Sequence, residues 1–206
     1  MNLLVESFCD YGYSANSYLI YNDKYCILVD PANNLKTLKQ FIGNKTLVGI
    51  LLTHGHYDHF IKIQDYLKEF DCQIYMHKNA YKKIVDNKLS CAELFGVYDK
   101  LSIDEQRVSF IDEGASLTLG DISIKALYHP GHTNCSLSYK INNMLFCGDV
   151  LFSLSVGRSD LPTGNVVVLN NTLSRIKKME HSLIVYPGHD ESFVLSDALK
   201  YNPYLK

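Results

Sequence analysis

The apolar run at residues 47–52 leads without a break into residues 53–59, which read THGHYDH. A continuous apolar run is typical of a strand that is covered on both faces. The turn after it carries four ligand-type residues within six positions, His54, His56, Asp58 and His59. Imidazole and carboxylate groups at this density suit a divalent cation. The chain is therefore predicted to fold around a sheet that presents a metal site at the end of one strand.

Three later segments share a local pattern in which an apolar strand ends in a glycine followed by a ligand-type residue. They are Pro130-Gly131-His132-Thr133, Cys147-Gly148-Asp149 and Pro187-Gly188-His189. Glycine allows the backbone to approach closely at the edge of a sheet, where functional side chains are often held. One such segment could arise by chance. Three of them, together with residues 53–59, predict one shared metal site.

Strand-like and helix-like segments alternate along the chain. Strands are predicted at residues 3–8, 17–21, 25–29, 47–52, 73–76, 107–111, 116–119, 122–128, 136–141 and 144–147, with 183–186 as the last. Helices are predicted at residues 35–42, 61–70 and 166–179, and residues 79–105 are expected to be mainly helical, with breaks at positions that the pattern does not fix. No linker-like composition divides the chain. We expect one domain over residues 1–206, of the α/β class and built as a layered sandwich.

The composition is that of an ordinary globular protein, with 47% hydrophobic and 20% charged residues. A formal net charge of −2 gives no electrostatic reason to expect nucleic acid or an anionic membrane as partner. We find no signal peptide and no apolar stretch near the roughly 18 residues that span a bilayer. The six cysteines lack CxxC spacing and are expected to be reduced and mostly buried. A cytoplasmic protein with a small-molecule substrate is expected, and its oligomeric state stays open.

The series HxHxDH, GHT, GD and GH, in this order, resembles the metallo-β-lactamase superfamily from the first strands to His189. The resemblance implies a four-layer αβ/βα sandwich with two metal ions. It implies a first site of His54, His56 and His132, a second site of Asp58, His59 and His189, and Asp149 as a bridge between them. All seven positions are filled, which favours a dinuclear centre.

Residues 157–165, GRSDLPTGN, resemble a stretch of the glyoxalase II-like hydrolases, and residues 202–205 resemble the end of their short members. This resemblance implies cleavage of a small acyl thioester, of the lactoyl-thiol type, by a hydroxide that bridges two divalent ions and is oriented by Asp58. Zinc is the expected metal, with iron or manganese as alternatives. True β-lactamases lack a bridging aspartate at the position of Asp149, so antibiotic hydrolysis is not expected. Only 17 residues follow His189, so a glutathione-binding helical domain is not expected.

Several other polar residues are weaker candidates. Arg158 and Asp160 are expected to pair, either beside the metal ligands or as a salt bridge that fastens a loop. Tyr57 could face the substrate or pack. The remaining histidines outside the glycine turns are expected to be structural or surface residues; they are His77, His129 and His181.

Two alternative activities stay open. Persulfide dioxygenases share the fold and use a single iron whose ligands form a subset of the seven residues. Lactone hydrolysis would use the same dinuclear centre. RNA processing is less favoured, because no basic patch or long arm is visible. A metal-storage role is the least favoured, because no ligand position is missing.

Overall fold

A computed structural model describes residues 2–10, 12 and 14–206. Within them, two six-stranded sheets follow each other along the chain, and in each sheet the spatial order of the strands is the sequence order. The first sheet contains β1 (Leu4–Phe8), β2 (Ser17–Tyr21), β3 (Tyr25–Val29), β4 (Thr46–Leu51), β5 (Ile74–Met76) and β6 (Val108–Phe110). The second contains β7 (Ser116–Leu119), β8 (Ile122–Tyr128), β9 (Leu137–Ile141), β10 (Met144–Gly148), β11 (Ile184–Pro187) and β12 (Phe193–Val194).

Five helices connect or follow these strands. They are α1 (Leu35–Ile42), α2 (Ile63–Glu69), α3 (Lys78–Ile84), α4 (Val166–Ile176) and α5 (Leu195–Tyr201). Short 3₁₀ turns lie at Tyr57–His59, Ala92–Phe95, Glu105–Arg107 and Pro203–Leu205. Of the helices in the described part of the chain, none is both long and apolar enough to cross a membrane.

Successive side chains of a strand point to opposite faces, and this alternation builds the layers. Ile27 of β3 packs between the sheets with residues such as Tyr139 and Phe146 of the second sheet. The next residue, Leu28, packs on the outer face in a cluster that contains residues of α1, α2 and α3. The outer face of the second sheet packs against α4 and α5 in a third cluster. The predicted four-layer α/β sandwich is therefore confirmed.

The structure differs from the sequence prediction between residues 79 and 105. Helix α3 ends at Ile84. The Asp86 carboxylate then accepts hydrogen bonds from the backbone amides of Lys88 and Leu89, which favours a turn over a helix. Cys91 has a φ of 61°, in the left-handed region. The prediction of a mainly helical segment is wrong, because local side-chain bonds and the left-handed residue interrupt the helical periodicity.

Residues 183–186 were predicted to be the last strand, but the structure adds a later strand, β12. β12 pairs antiparallel with β11 through Val185 and Phe193, and α5 follows it directly. A strand of two residues carries no measurable alternation in sequence, so it becomes visible only through its partner strand.

Candidate metal centre

The ligand-type residues follow the carboxyl ends of neighbouring strands. β3 and β4 are parallel, and so are β10 and β11. His54 and His56 follow β4, Asp149 follows β10, and His189 follows β11. Parallel strands bring their carboxyl ends to one edge of a sheet, which is where ligands bind in open α/β sheets. The face-to-face packing of the two sheets then brings these edges together.

Three histidines form a first group around one point. His132 Nε2 lies 3.2 Å from His54 Nε2 and 2.9 Å from His56 Nδ1. His54 Nε2 and His56 Nδ1 are 3.2 Å apart. All three side chains are buried. Nitrogen atoms about 2.0–2.1 Å from a tetrahedral zinc ion are separated by about 3.3 Å, so this triangle has the dimensions that one cation requires.

A second group lies beside the first. His189 Nε2 is 3.1 Å from Asp58 Oδ2, and His59 Nε2 is 3.8 Å from the same oxygen. Asp149 lies between the groups, because its Oδ2 is 3.7 Å from His132 Nε2 and 3.7 Å from His189 Nε2. Its Oδ1 is 3.2 Å from His59 Nε2. A carboxylate in this position can contact cations in both groups.

Two unsatisfied atoms support a fit between these residues and a cation. His59 Nε2 and Asp149 Oδ1 are buried, and neither makes a well-aligned hydrogen bond with the described residues. Buried polar atoms normally have a partner. Within the described residues, ligand atoms that could hold an ion form three overlapping sets, and in each set the atoms lie within 4.8 Å of one another. Imidazole nitrogen and carboxylate oxygen suit zinc, iron and manganese alike.

The histidines of the first group are in the neutral form that binds a cation. Burial lowers the pKa of His56 to about 3, with a further contribution from the nearby His132. Burial and the neighbouring histidines also lower the pKa of His54. Both rings are therefore neutral at physiological pH. A neutral imidazole offers the lone pair that a metal ligand needs.

The second group holds protons where a cation would bind. Burial acts to lower the pKa of His59, but Asp149, Asp58 and Asp30 outweigh it and raise the pKa. Burial likewise opposes protonation of His189, and its hydrogen bond to Asp58 raises the pKa above the ordinary value. Positive charge is thus favoured at this position. A divalent cation would satisfy the same carboxylates by displacing these protons.

Comparison with known proteins identifies the family. A family model for the metallo-beta-lactamase superfamily matches residues 10–189. The chain belongs to this superfamily. It is 34% identical over 194 residues to "Probable metallo-hydrolase MJ0888" of Methanocaldococcus jannaschii, a match that covers 88% of this chain and 90% of the relative.

Two solved structures extend the metallo-β-lactamase comparison. One is the BLEG-1 B3 metallo-beta-lactamase, with a TM-score of 0.89, 27% identity, and coverage of 98% of this chain and 99% of that one. The other is TTHA1623 in a di-iron-bound form, with a TM-score of 0.84, 26% identity, and coverage of 98% and 100%. The superfamily indicated by the sequence motifs is confirmed. The glyoxalase II-like branch stays a prediction, and so does the choice of metal.

Two residues that orient histidines of the candidate metal centre, Asp30 and Thr53, were not predicted from the sequence. The carboxylate of Asp30, directly after β3, accepts a hydrogen bond from His59 Nδ1 over 2.8 Å. It also accepts one from Thr53 Oγ1 over 2.7 Å, and Thr53 Oγ1 lies 3.1 Å from His54 Nδ1. One carboxylate thus fixes two rings with their Nε2 atoms toward the centre. The position of Asp30 at the end of a buried strand was the available signal.

The glycine before His189 is required by close packing. A Cβ atom at Gly188 would lie 2.0 Å from Asp149 Oδ1 and 2.6 Å from His59 Cε1. No side chain fits at such distances. The Pro-Gly-His turn therefore lets the backbone lie directly against Asp149 and His59. These two residues belong to the seven candidate ligands, which we call the cluster: His54, His56, Asp58, His59, His132, Asp149 and His189.

The weaker candidates occupy different positions. Arg158 forms two hydrogen bonds of 2.7 Å with Asp160, and both side chains are exposed. It is the backbone oxygen of Arg158 that contacts the cluster, accepting a hydrogen bond from His132 Nδ1 over 2.7 Å. The ring of Tyr57 packs against Phe60 and Phe95, which favours the packing role.

The other histidines lie outside the cluster, as expected. His77 caps α3 by accepting a hydrogen bond from the Asn79 amide. His129 is buried and pairs with Ser138 Oγ over 2.8 Å. His181 is exposed. Of the cysteines, Cys9 is exposed and the other five are buried, all without a disulfide, which agrees with the prediction that most are buried.

The cluster opens into a cavity of about 230 Å³. Five members of the cluster line it: His56, Asp58, His132, Asp149 and His189. The other walls come from two segments. Residues 86–95, which we call the 86–95 segment, contribute Cys91, Leu94 and Phe95, and residues 157–164, which we call the 157–164 loop, contribute Arg158 and Leu161. A substrate in this cavity would contact the candidate metal ligands on one side and apolar side chains on the other.

Proposed function

We propose that this chain is a dinuclear metal-dependent hydrolase that cleaves a small acyl thioester of the lactoyl-thiol type. The observation that carries the proposal is the position of Asp149. It lies between two groups of ligand atoms, and both groups open into one small cavity. The superfamily membership and the metallo-hydrolase name of the relative from Methanocaldococcus jannaschii support the hydrolytic class.

The proposed ligands are divided between two cations. His54, His56 and His132 would hold one, Asp58, His59 and His189 the other, and Asp149 would contact both. Two divalent cations, with zinc as the first choice, supply a Lewis acid for the substrate carbonyl and a water nucleophile at neutral pH. The chain's own contribution is to fix these groups and to shape the cavity.

Asp58 is the proposed catalytic carboxylate. It lines the cavity and is also 3.1 Å from His189. Burial acts to raise its pKa, but His59 and the hydrogen bond from His189 outweigh burial and lower it. Asp58 is therefore ionised at neutral pH. An ionised carboxylate at the cavity wall can orient a water molecule and accept its proton.

The ionised state of the two carboxylates in the cavity favours a substrate with a good leaving group. The pKa of Asp149 is lowered, since its histidine neighbours outweigh the effect of burial. Both carboxylates in the described cavity lining are thus ionised before the reaction, so neither starts as an acid that protonates a departing group. A thiolate, whose conjugate thiol has a pKa of about 8.5, leaves without such help, whereas an alkoxide or amine needs it. This difference supports a thioester.

The size and the lining of the cavity favour a substrate with a small, uncharged acyl group. Ligand pockets for drug-sized molecules occupy about 300–1,000 Å³, so this cavity is smaller than most. Leu94, Phe95 and Leu161 give it an apolar side. The Arg158 guanidinium at the rim is already paired with Asp160. Arg158 is the one lysine or arginine in the described lining, so nothing beyond the candidate metal ligands favours a carboxylate on the substrate.

The test is thiol release from lactoyl and acetyl thioesters by protein loaded with zinc, manganese or iron. We expect activity that disappears on chelation, returns with metal and is unchanged without oxygen. Metal analysis should approach two ions per chain. His59→Ala should lose activity, and the matched control His77→Ala, outside the cluster, should keep it.

Other outcomes would reassign the reaction. Oxygen uptake with a persulfide, without thiol release, would indicate a dioxygenase, and saturation at one iron per chain would support that reading. Faster turnover of a lactone would indicate a lactonase. Faster turnover of a β-lactam would match the activity named for BLEG-1. Activity that survives complete removal of metal would contradict the proposed function itself.

A further inference from the structure

Lys83 is a buried lysine that the proposed chemistry does not use. It lies in the last turn of α3 and is only 1% exposed. Among the described residues, no carboxylate lies within ion-pair distance of its ammonium group. Burial lowers its pKa. Lysine is almost never buried without a specific partner, so this position requires a physical explanation.

The stem of Lys83 packs against the ligand-bearing turn. A Cβ atom at Gly55 would come within 2.8 Å of Lys83 Cβ and 2.9 Å of the Ala80 carbonyl oxygen. Gly55 separates His54 from His56, so the stem lies directly behind two members of the first group. The stem is thereby held against the turn that carries these two histidines.

The ammonium group joins two parts of the chain that are distant in sequence. Lys83 Nζ donates to the carbonyl oxygens of Leu89 and Pro162, each over 3.3 Å. Leu89 belongs to the 86–95 segment and Pro162 to the 157–164 loop. These are the two segments that supply the cavity walls beyond the metal ligands.

Each wall is also bonded to a turn that carries candidate ligands. In the 86–95 segment, the Ser90 carbonyl oxygen accepts a hydrogen bond from the Tyr57 amide, next to Asp58. In the 157–164 loop, the Arg158 oxygen accepts one from His132. Each wall is thus attached to a different ligand-bearing turn. Of the bonds named here, those of Lys83 are the ones that join the walls to each other.

We infer that Lys83 is a positioning residue that sets the width of the substrate cavity, because its ammonium holds the 86–95 segment and the 157–164 loop at a fixed separation. An ammonium group carries three donors, so one side chain can bond to carbonyl oxygens of both segments at once. The width of the cavity then selects the size of the acyl group.

The first test does not depend on activity. Lys83→Met keeps the apolar stem and removes both hydrogen bonds, and Lys82→Met is the matched control, because Lys82 is the exposed neighbour on the same helix. We expect Lys83→Met to bind as much metal as the wild type. Amide hydrogen exchange in residues 86–97 and 158–164 should be about tenfold faster, with no change in the strands. Unchanged exchange in both segments would overturn the inference.

The second test rests on the proposed hydrolytic function. KM should rise about tenfold in Lys83→Met while kcat stays within about threefold, since looser cavity walls bind the substrate less well and the groups that act on the reacting bond stay in place. The preference for acetyl over longer acyl thioesters should weaken. An equal loss of kcat and kcat/KM with full metal content would contradict a positioning role.

The two proposals can fail separately. If no thioester is cleaved by the wild type, the proposed function is wrong, and the exchange experiment still decides the role of Lys83. If Lys83→Met does not fold, Lys83→Gln replaces it, because the amide can still donate to one carbonyl oxygen. This variant should show an intermediate increase in exchange, and exchange equal to that of the wild type would again overturn the inference.

Discussion

Asp30 connects two of the candidate ligands through one side chain. Its carboxylate accepts from His59 directly and is linked to His54 through Thr53. Orienting partners of this kind hold a histidine in the tautomer and ring position that a metal needs, and their loss commonly lowers metal affinity about 10- to 100-fold. We expect Asp30→Asn to weaken metal binding by a factor in this range. Competition with a chelator of known affinity measures it.

The control for Asp30→Asn is another carboxylate that faces a histidine. Asp112 Oδ1 lies 3.9 Å from His77 Nε2, outside the cluster. Asp112→Asn should leave metal affinity unchanged. Equal affinities for the two variants would show that the Asp30 carboxylate does not act on the centre.

At this scale the sequence identifies the residues that offer metal-ligand atoms better than the residues that orient them. The candidate ligands stand in short motifs with flanking glycines, so local spacing reveals them. Asp30 acts on His59 from a different strand, and its role depends on the parallel pairing of β3 with β4. Lys83 resembles any lysine on a helix until the fold closes around it. Neither role is encoded in local sequence.

Among the elements, α4 begins with a cap next to the His132 turn. The Asn165 side chain accepts a hydrogen bond from the Val168 amide, and its backbone amide donates to the Gly131 carbonyl oxygen. Loss of an asparagine N-cap costs about 1 kcal/mol of stability. We expect Asn165→Ala to lower the free energy of unfolding by about this amount, measured by urea denaturation. Because the backbone bond remains, metal content should not change.

A second asparagine on the same helix provides the comparison. Asn170 is exposed in the middle of α4, where alanine is the better helix former. Asn170→Ala should leave stability unchanged or slightly raised. A loss as large as that of Asn165→Ala would mean that the cap is not the cause.

The elements that sequence reasoning placed well are those whose pattern is local. β2, β3 and β8 were predicted with the boundaries that the structure shows. They are rich in β-branched and apolar residues and end at turn residues. β12 was missed because pairing with β11 defines it. The end of α3 was missed because an aspartate-based turn and a left-handed cysteine compete with helical periodicity.

For the whole molecule, buried histidines make stability depend on pH. Burial lowers the pKa of His129 from 6.5 to about 3. Between these values the unfolded chain binds more protons, so the unfolding free energy of metal-free protein falls as pH falls. His59 and His189 have raised pKa values and act in the opposite sense, above about pH 6.5.

We therefore expect His129→Asn to reduce the pH slope of stability by up to about 1.4 kcal/mol per pH unit below about pH 6. Urea unfolding of chelator-treated protein at several pH values measures this slope. The exposed His181 supplies the control, and His181→Asn should keep the wild-type slope. An unaltered slope in His129→Asn would mean that this histidine is not neutral in the folded state.

The order in which the sheets occur along the chain also constrains how the molecule is made. His54, His56, Asp58 and His59 leave the ribosome with the first sheet, but His132 follows β8 and His189 follows β11. Neither group of ligand-type residues is complete until strands of the second sheet have been synthesised. A nascent chain that ends before β8 would therefore lack His132 and His189, and neither group of ligand-type residues could form. On the proposed function, metal capture is then a late event of biosynthesis, after most of the chain has emerged.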